Sequence, residues 1–517
     1  MRRSLIWLTI AGPMLTLTAC FNDKGNYDYD EINEVTIGQK GFDGDTVYQL
    51  RSDVDELKIT PDLSFLLGKE SSGSYSYEWV AVSTNKRVGE RTQLGTERNL
   101  DYKVKLKADN YNLFYKVTDE ATGIVYSRQA TLNVNNLYTQ GWILTGEDND
   151  GNMVVDMLSI SRDTLHLTDI LGNKGNTLKQ PIRIWADNSP EIYENQIYVC
   201  TENGTYRYGR EDFDNPQELT IFDPDVKGYR HSIVMHDIQK ISNKRALFLA
   251  DKYAYSLSSL NEGEFGNPVS YYLQDEGYDY FTPAAGIACN HTGEDNSAAA
   301  IEQYVVFNTR DRVFCNLRPM GTSMNNLSDS DTEEAFSWNT KKDFAPNGLT
   351  FVACINSLYS GGQSATILQN PANGKRYIYT YTISRQGGVA TKGKRYEIPS
   401  SATGFYQASL FCITTRQGYL IYADGKNLYG YNFRNGQNPV LLYTFDGDAT
   451  AIFNDIVTDE KQDDYFYVAT YTEGEADQRG GKLYKFGVTD TADKIEVTRK
   501  AEWKGFPRTV DICYKKF

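Results

Sequence analysis

The stretch NQIYVCTENGTYRYGRED, residues 195–212, decides the fold. It reads as a strand, a short polar turn and a second strand rich in Tyr, and such runs favour β-structure. The same pattern returns as KRALFLADKYAYSLSSL (244–260), QYVVFNTRDRVFCNLRP (303–319) and GYLIYADGKNLYGYNF (418–433). Looser copies lie at 141–160, 364–385 and 464–488. The first strands begin near 142, 196, 246, 304, 364, 418 and 465, a spacing of roughly 45 to 60 residues, which is that of propeller blades.

Each hairpin has matching flanks. An apolar strand precedes it, as in SIVMHDIQK, AAGIACN, TFVACIN, ASLFCITT and AIFNDIVTD. A short strand follows it, as in LTIFD, VSYYL, AFSWN, RYEIP, VLLYTF and IEVTRKAEW. The hairpin GWILTG…MVVDMLSI lacks the preceding strand, and the chain ends in RTVDICYKKF (508–517), a strand of that type with no hairpin after it. The pattern predicts a seven-bladed β-propeller over 137–517, closed by the C-terminal strand, so that no sheet edge is left open at the seam.

Residues 31–135 read differently. Tyr75, Tyr77, Trp79 and Ala81 alternate on one face, as do Leu113, Tyr115 and Val117, and Ala130, Leu132 and Val134. Period-two alternation over short runs with a central Trp predicts a β-sandwich. The whole chain is thus expected to be all-β, an immunoglobulin-like sandwich followed by a propeller.

The start of the chain addresses export. Arg2 and Arg3 precede a mostly apolar run, Leu5–Leu17, interrupted by Pro13. That run is short of the ~20 apolar residues that span a bilayer and has the layout of a secretory signal. Leu17-Thr18-Ala19-Cys20 resembles the bacterial lipobox. The resemblance implies a signal at 1–19 and a lipid on Cys20. Residues 20–30, with Gly, Asn and Asp and little to bury, form a tether. The acidic residues soon after Cys20 resemble the surface-export signal of Bacteroidetes lipoproteins. The resemblance implies a chain at the outer membrane, lipid-anchored and facing outward.

The lipobox, GNYDYDEINEVTI (25–37), the YEW and Y-x-V-x-D strands and the Tyr-rich repeats together resemble the PKD-like surface lipoproteins of Bacteroidetes. The resemblance implies an accessory to a transporter pair of the SusC/SusD type, binding a nutrient that is a glycan or a peptide. Composition is consistent with this: 53 Lys and Arg stand against 68 Asp and Glu, which argues against nucleic acid as a partner.

No motif implies a cofactor, a metal or catalysis. His166, His231, His236 and His291 show no metal-ligand spacing, and His236 reads as a polar inner-strand residue facing the channel. EDNDGN (147–152) lacks the full calcium-loop pattern and reads as a turn. Cys289, Cys354, Cys412 and Cys513 occupy one register of the inner strands, which favours free, buried thiols over disulfides. The protein is read as a non-catalytic binder. A propeller hydrolase or lyase acting on polysaccharide, and a structural subunit of an outer-membrane complex, are the alternatives.

Ligand-binding candidates come from the blade junctions, where an aromatic sits near Gly or Pro. They are Tyr229, Tyr278, Tyr280, Phe281, Phe344, Phe405 and Phe506. Such rings either stack a ligand at the axial mouth or wedge between blades. QDEGYDYF (274–281), with three aromatics and three acids, is the strongest candidate for stacking.

Overall fold

Strand alternation in the first hundred residues is realised as one buried face. In the computed structural model Val47–Arg51, Val125–Asn135, Asp109–Asp119, Tyr75–Ser83 and Arg91–Gly95 lie side by side in a five-stranded sheet, antiparallel across the last four. Two small sheets, Val35–Ile37 with Leu63–Phe65 and Glu56–Ile59 with Leu100–Lys103, supply apolar residues to the same core. Trp79 sits at its centre, 4.2 Å from Tyr115, and its indole N–H donates to the Glu97 carbonyl at 2.9 Å. That bond satisfies the one polar atom of a fully buried ring.

The structure describes residues 32–43, 45–68, 75–84, 91–160, 164–172, 175, 177–188, 196–210, 212–222, 230–240, 245–258, 267–274, 277–292, 303–318, 321–329, 335–385, 390–458, 460, 463–474 and 478–516. The chain divides into two units between Val134 and Asn135.

The second unit is a ring of seven antiparallel sheets. Blade 1 begins with the C-terminal strand: Arg508–Lys515 pairs with Gly141–Glu147, which continues to Met153–Ser159 and Leu165–Leu167. Blade 2 is Pro181–Ala186, Gln196–Thr201, Gly204–Gly209 and Gln217–Glu218. Blade 3 is Met235–Lys240, Arg245–Ala250 and Tyr253–Ser258. Blade 4 is Tyr304–Asn308, Val313–Leu317 and Met324–Asn326, with its inner edge formed by two isolated bridges, Pro283 with Asn308 and Ala288 with Val305. Blades 5, 6 and 7 have four strands each and start at Thr350–Ile355, Leu410–Ile413 and Asp448–Asn454.

Side chains tie neighbouring inner strands together. Asp511 of blade 1 accepts from the Ile184 N–H of blade 2 at 3.1 Å, and Asp237 of blade 3 accepts from the Ile287 N–H of blade 4 at 2.9 Å. Asn356 of blade 5 bridges to blade 4, accepting from the Cys289 N–H and donating to the Ile287 carbonyl. Asn454 of blade 7 donates to the Ile413 carbonyl of blade 6 at 2.6 Å. Inner strands share no ladder with one another, so these bonds satisfy backbone groups that the blades leave over.

Three flanking segments differ from the expected pattern. AFSWN forms no strand, and the outer strand of blade 4 is Met324–Asn326. LTIFD and VSYYL are not the outer strands of blades 2 and 3. Instead Thr220–Phe222 pairs with Arg230–Ser232, and Tyr271–Gln274 pairs with Gly277–Tyr280. Each junction therefore carries its own small hairpin. EDNDGN is a turn: Asp148 accepts from the Asp150 and Asn152 N–H groups and from the Asn152 amide.

Candidate functional site

The junction aromatics fall into three groups. Phe281, Phe405 and Phe506 are 2 %, 0 % and 0 % exposed. They are wedges, and this corrects their candidacy as ligand contacts: a ring with no free face cannot stack a ligand. Phe405 packs against Tyr422 at 5.5 Å and Phe506 against His166 at 4.2 Å. Phe344 is half-buried against Tyr377, with the Arg395 guanidinium over its ring at 5.2 Å. Tyr229 lies outside the described residues, as do Asp275, Glu276 and the lipidation candidate Cys20.

Among the described junction aromatics Tyr278 is the most exposed, on the strand Gly277–Tyr280 that pairs with Tyr271–Gln274. Tyr278 is 62 % exposed and its neighbour Leu273 71 %. Tyr278 stands edge-on to Tyr271 at 4.8 Å, and Tyr280 leans on Tyr253 at 5.3 Å. Asp279 is engaged by Arg310 through two bonds of 2.7 and 2.9 Å, which hold its carboxyl below the usual carboxylate range.

A concavity lies elsewhere. The described junction aromatics sit where the chain approaches an inner strand. A cavity of about 270 Å³, smaller than two clefts of about 450 and 460 Å³, opens along the later halves of the inner strands, lined by residues from 183–188, 238–240, 452–457 and 511–516 of blades 2, 3, 7 and 1 and by His291. That volume is close to the lower end for small-molecule sites, ~300 Å³.

Its polar wall is built from inner-strand charges. Arg183 reaches between two carboxylates, bonding Asp237 on one side and lying 3.4 Å from Asp511 on the other. Burial opposes its charge, but the two carboxylates prevail and hold the guanidinium above its ordinary pKa. Asp511 is itself raised by burial, against the pull of Arg183. Asp237 also accepts from the Ile238 N–H and the Gln239 amide. Beside them Lys240 meets Asp187 at 3.1 Å, and both side chains are almost wholly buried. Ile184, Ile238, Ile452, Ile512 and the rings of Trp185 and Phe453 form the apolar wall.

This pattern suits binding of a neutral, hydrogen-bonding ligand. Each cavity carboxylate already faces a cation, so a charged ligand would have to break a buried pair. The nearby thiols are held protonated: burial pushes Cys200 up to about 12 and raises Cys289 and Cys513 as well. They are not the thiolates that nucleophilic chemistry requires. Among the described residues no group of three or more His, Cys, Asp and Glu is placed to hold a metal ion.

The histidines are distributed singly. His291 Nε2 lies 3.1 Å from both the Cys289 thiol and the Gln239 carbonyl oxygen at the cavity rim. His166 lies 2.7 Å from buried Asp156, which also takes Arg479 of blade 7 at 2.6 Å, a clamp across the ring seam. His231 pairs with Asp251. His236 is half-buried, and its backbone carbonyl accepts from Arg183.

Sequence reasoning missed Arg183, Asp187, Lys240 and Asp511. A signal was present: Asp-Ile occurs at 237–238 and 511–512 on two inner strands, and PIRIWAD carries an Arg and an Asp in the same setting. A charge there needs a partner, and only the channel can supply one.

A family model for the PKD-like family matches residues 20–179, less than half of the chain. No curated protein matches the sequence. Among solved structures, a quinonprotein alcohol dehydrogenase-like protein from Bacteroides thetaiotaomicron aligns over 93 % of this chain and 99 % of its own, at 11 % identity and TM-score 0.37. The extracellular domain of a one-component system from the same organism aligns over 83 % of this chain and 53 % of its own, at 10 % identity and TM-score 0.38. The WD40 domain of SCAP from fission yeast aligns over 63 % and 72 %, at 8 % identity and TM-score 0.33. The propeller assignment rests on the strand pairing described above.

Proposed function

We propose that the chain is a surface lipoprotein, anchored to the outer membrane through Cys20, whose propeller binds a nutrient beside a transporter pair of the SusC/SusD type. The observation that carries the binding reading is the axial cavity, a concave site with compensated charges and an apolar wall. The exported location is supported by Leu17-Thr18-Ala19-Cys20, and the PKD-like family match begins at that cysteine. Stable anchoring by lipid needs more than one acyl chain, which a lipidated N-terminal cysteine supplies. The exposed ring of Tyr278 and the half-buried ring of Tyr280 offer a second surface, for a partner.

The test is fractionation followed by native purification. Cys20→Ala is expected to leave the membrane fraction after a carbonate wash. The wild-type protein is expected to carry an outer-membrane transporter with it, identified by mass spectrometry. A Cys20→Ala protein that stays membrane-bound contradicts the anchor, and isolation without any transporter contradicts the accessory role.

A further inference from the structure

We infer that the bound ligand is a neutral oligosaccharide, with its terminal sugar in the axial cavity and its next units in a second cleft at the ring seam. The inference rests on the binding reading above and gives it a chemical class.

A cleft of about 460 Å³ lies between blades 7 and 1. Tyr514 lines both the cleft and the axial cavity. So does one loop of blade 7, with Ile456 and Val457 in the cavity and Thr458 and Glu460 in the cleft. The two spaces therefore stand on either side of a shared wall. A ligand filling both must be a chain.

The wall is aromatic. Trp142 packs 5.2 Å from Phe453 of the cavity, 4.8 Å from Tyr514 and 4.3 Å from Tyr467 of the cleft. These rings are mostly buried and fix the shape. Trp503, half-buried on the outer strand of blade 7, is the ring left to meet a ligand in the cleft. Around it stand groups that bond hydroxyls: the Gln140 amide, which donates to the Tyr514 hydroxyl at 2.6 Å, the exposed Thr164 hydroxyl, and the paired Glu460 and Lys485. The Thr458 hydroxyl is already engaged, donating to Asp455 at 2.6 Å and accepting from the Glu460 N–H at 3.2 Å. Apolar rings edged by hydrogen-bonding groups match a sugar, which has an apolar face and a hydroxyl rim.

Charge separates a glycan from a peptide. The axial cavity takes the end of the chain. A peptide end carries an ammonium or a carboxylate, and here Arg183 is held by Asp237 and Asp511 while Lys240 is held by Asp187. A terminal sugar brings no charge and leaves both sets of ion pairs intact. Lys500 stands exposed at the cleft and is the one cationic side chain there besides Lys485 among the residues lining it.

The experiment uses the full mature chain. An array of neutral oligosaccharides of one to six units, the same lengths bearing uronic acids, and short unmodified peptides are screened. Hits are then titrated by calorimetry. The expected result is binding of a neutral series whose affinity rises about tenfold or more from one unit to three, with uronate members at least about tenfold weaker. Trp503→Ala should remove the dependence on length while leaving the single-unit affinity, and Thr164→Val should weaken only the longer members. Ile456→Trp, which fills the cavity without touching an ion pair, should abolish binding at every length. Each variant is melted alongside wild type. If Trp503→Ala proves unfolded, Trp503→Tyr and Thr164→Val carry the test of the cleft.

Affinity that is flat with length overturns the inference, as does tighter binding of the uronates, binding of peptides alone, or binding of no oligosaccharide on the array. Fractionation and transporter capture use no ligand. Peptide-only binding with intact transporter capture therefore sinks this inference and leaves the accessory role standing. Loss of capture with neutral-glycan binding does the reverse.

Discussion

The two ends of the inner strands solve opposite problems. Where the chain approaches these strands, large rings are driven between blades: Phe281, Phe405 and Phe506 are buried, and the site is used up by packing. From mid-strand to the far end, the chain places Arg183 and Asp511 and then Lys240 and Asp187, and charge keeps a cavity open. Rings fill space because dispersion and the hydrophobic effect reward contact on every side. Ion pairs on a channel wall cannot close over one another without losing their remaining hydration. A concave site therefore survives at the charged end and not at the aromatic one.

Removing the closing strand should give the largest effect. Arg508–Lys515 pairs along the whole of Gly141–Glu147, and Ile512, Cys513 and Tyr514 pack into the cores on both sides of it. Deleting 508–517 is expected to lose stability on the order of the whole folding free energy, about 5–15 kcal/mol. Soluble yield and melting temperature read it. An unchanged melting temperature would mean that the ring does not depend on this seam.

Next comes the charged end itself. Asp237→Ala takes one of two carboxylates from Arg183 and the acceptor from the Ile287 N–H. The expected loss is about 3 kcal/mol, the low end for a broken buried pair because Asp511 remains. Chemical denaturation checks it. A loss below 1 kcal/mol would show the pair to be solvated, and the cavity would then have no rigid polar wall.

The approach end offers an internal contrast. Phe405→Ala should cost about 3–5 kcal/mol as a buried ring. Tyr278→Ala with Tyr280→Ala should cost much less, because Tyr278 is exposed and Tyr280 only half-buried. Similar melting shifts for the two would break the division between wedges and surface rings.

The smallest effect is electrostatic and differs in sign between the ends. Asp279 is depressed by Arg310, so its stabilisation is present above the ordinary carboxylate range and is lost as pH falls through its lowered pKa. Asp511 is raised by burial, so its favourable contribution is full at low pH and is lost as pH rises through its raised pKa. Asp279→Asn should therefore lower the melting temperature at neutral pH and not near pH 2. Wild type should lose ground to Asp511→Asn as pH rises from about 4 to neutrality. Thermal melts across pH with the same sign for both variants would contradict the contrast.

Much of the fold was legible because blade hairpins repeat a local pattern. YVCTENGTYRY needs only its own residues to pair, and the missing first strand of GWILTG pointed to the last strand of the chain. The outer flanks were less legible. LTIFD and VSYYL have strand composition, but nothing local says that each pairs forward with the next segment and not back onto its blade. The cavity was least legible. Arg183, Asp237 and Asp511 are far apart in the chain and meet only because the ring closes. The junction aromatics looked like a site since they recur at one register. Recurrence marks a shared packing role as readily as a binding one, and burial of Phe281, Phe405 and Phe506 shows which it is here.

Hydrogen exchange on the full chain, with and without the tightest-binding neutral oligosaccharide, tests the central claim most directly. The account predicts ligand-dependent protection at 183–188, 238–240, 452–457 and 511–516, with little change at 271–281. Protection confined to 271–281, with the cavity segments unchanged, would contradict it.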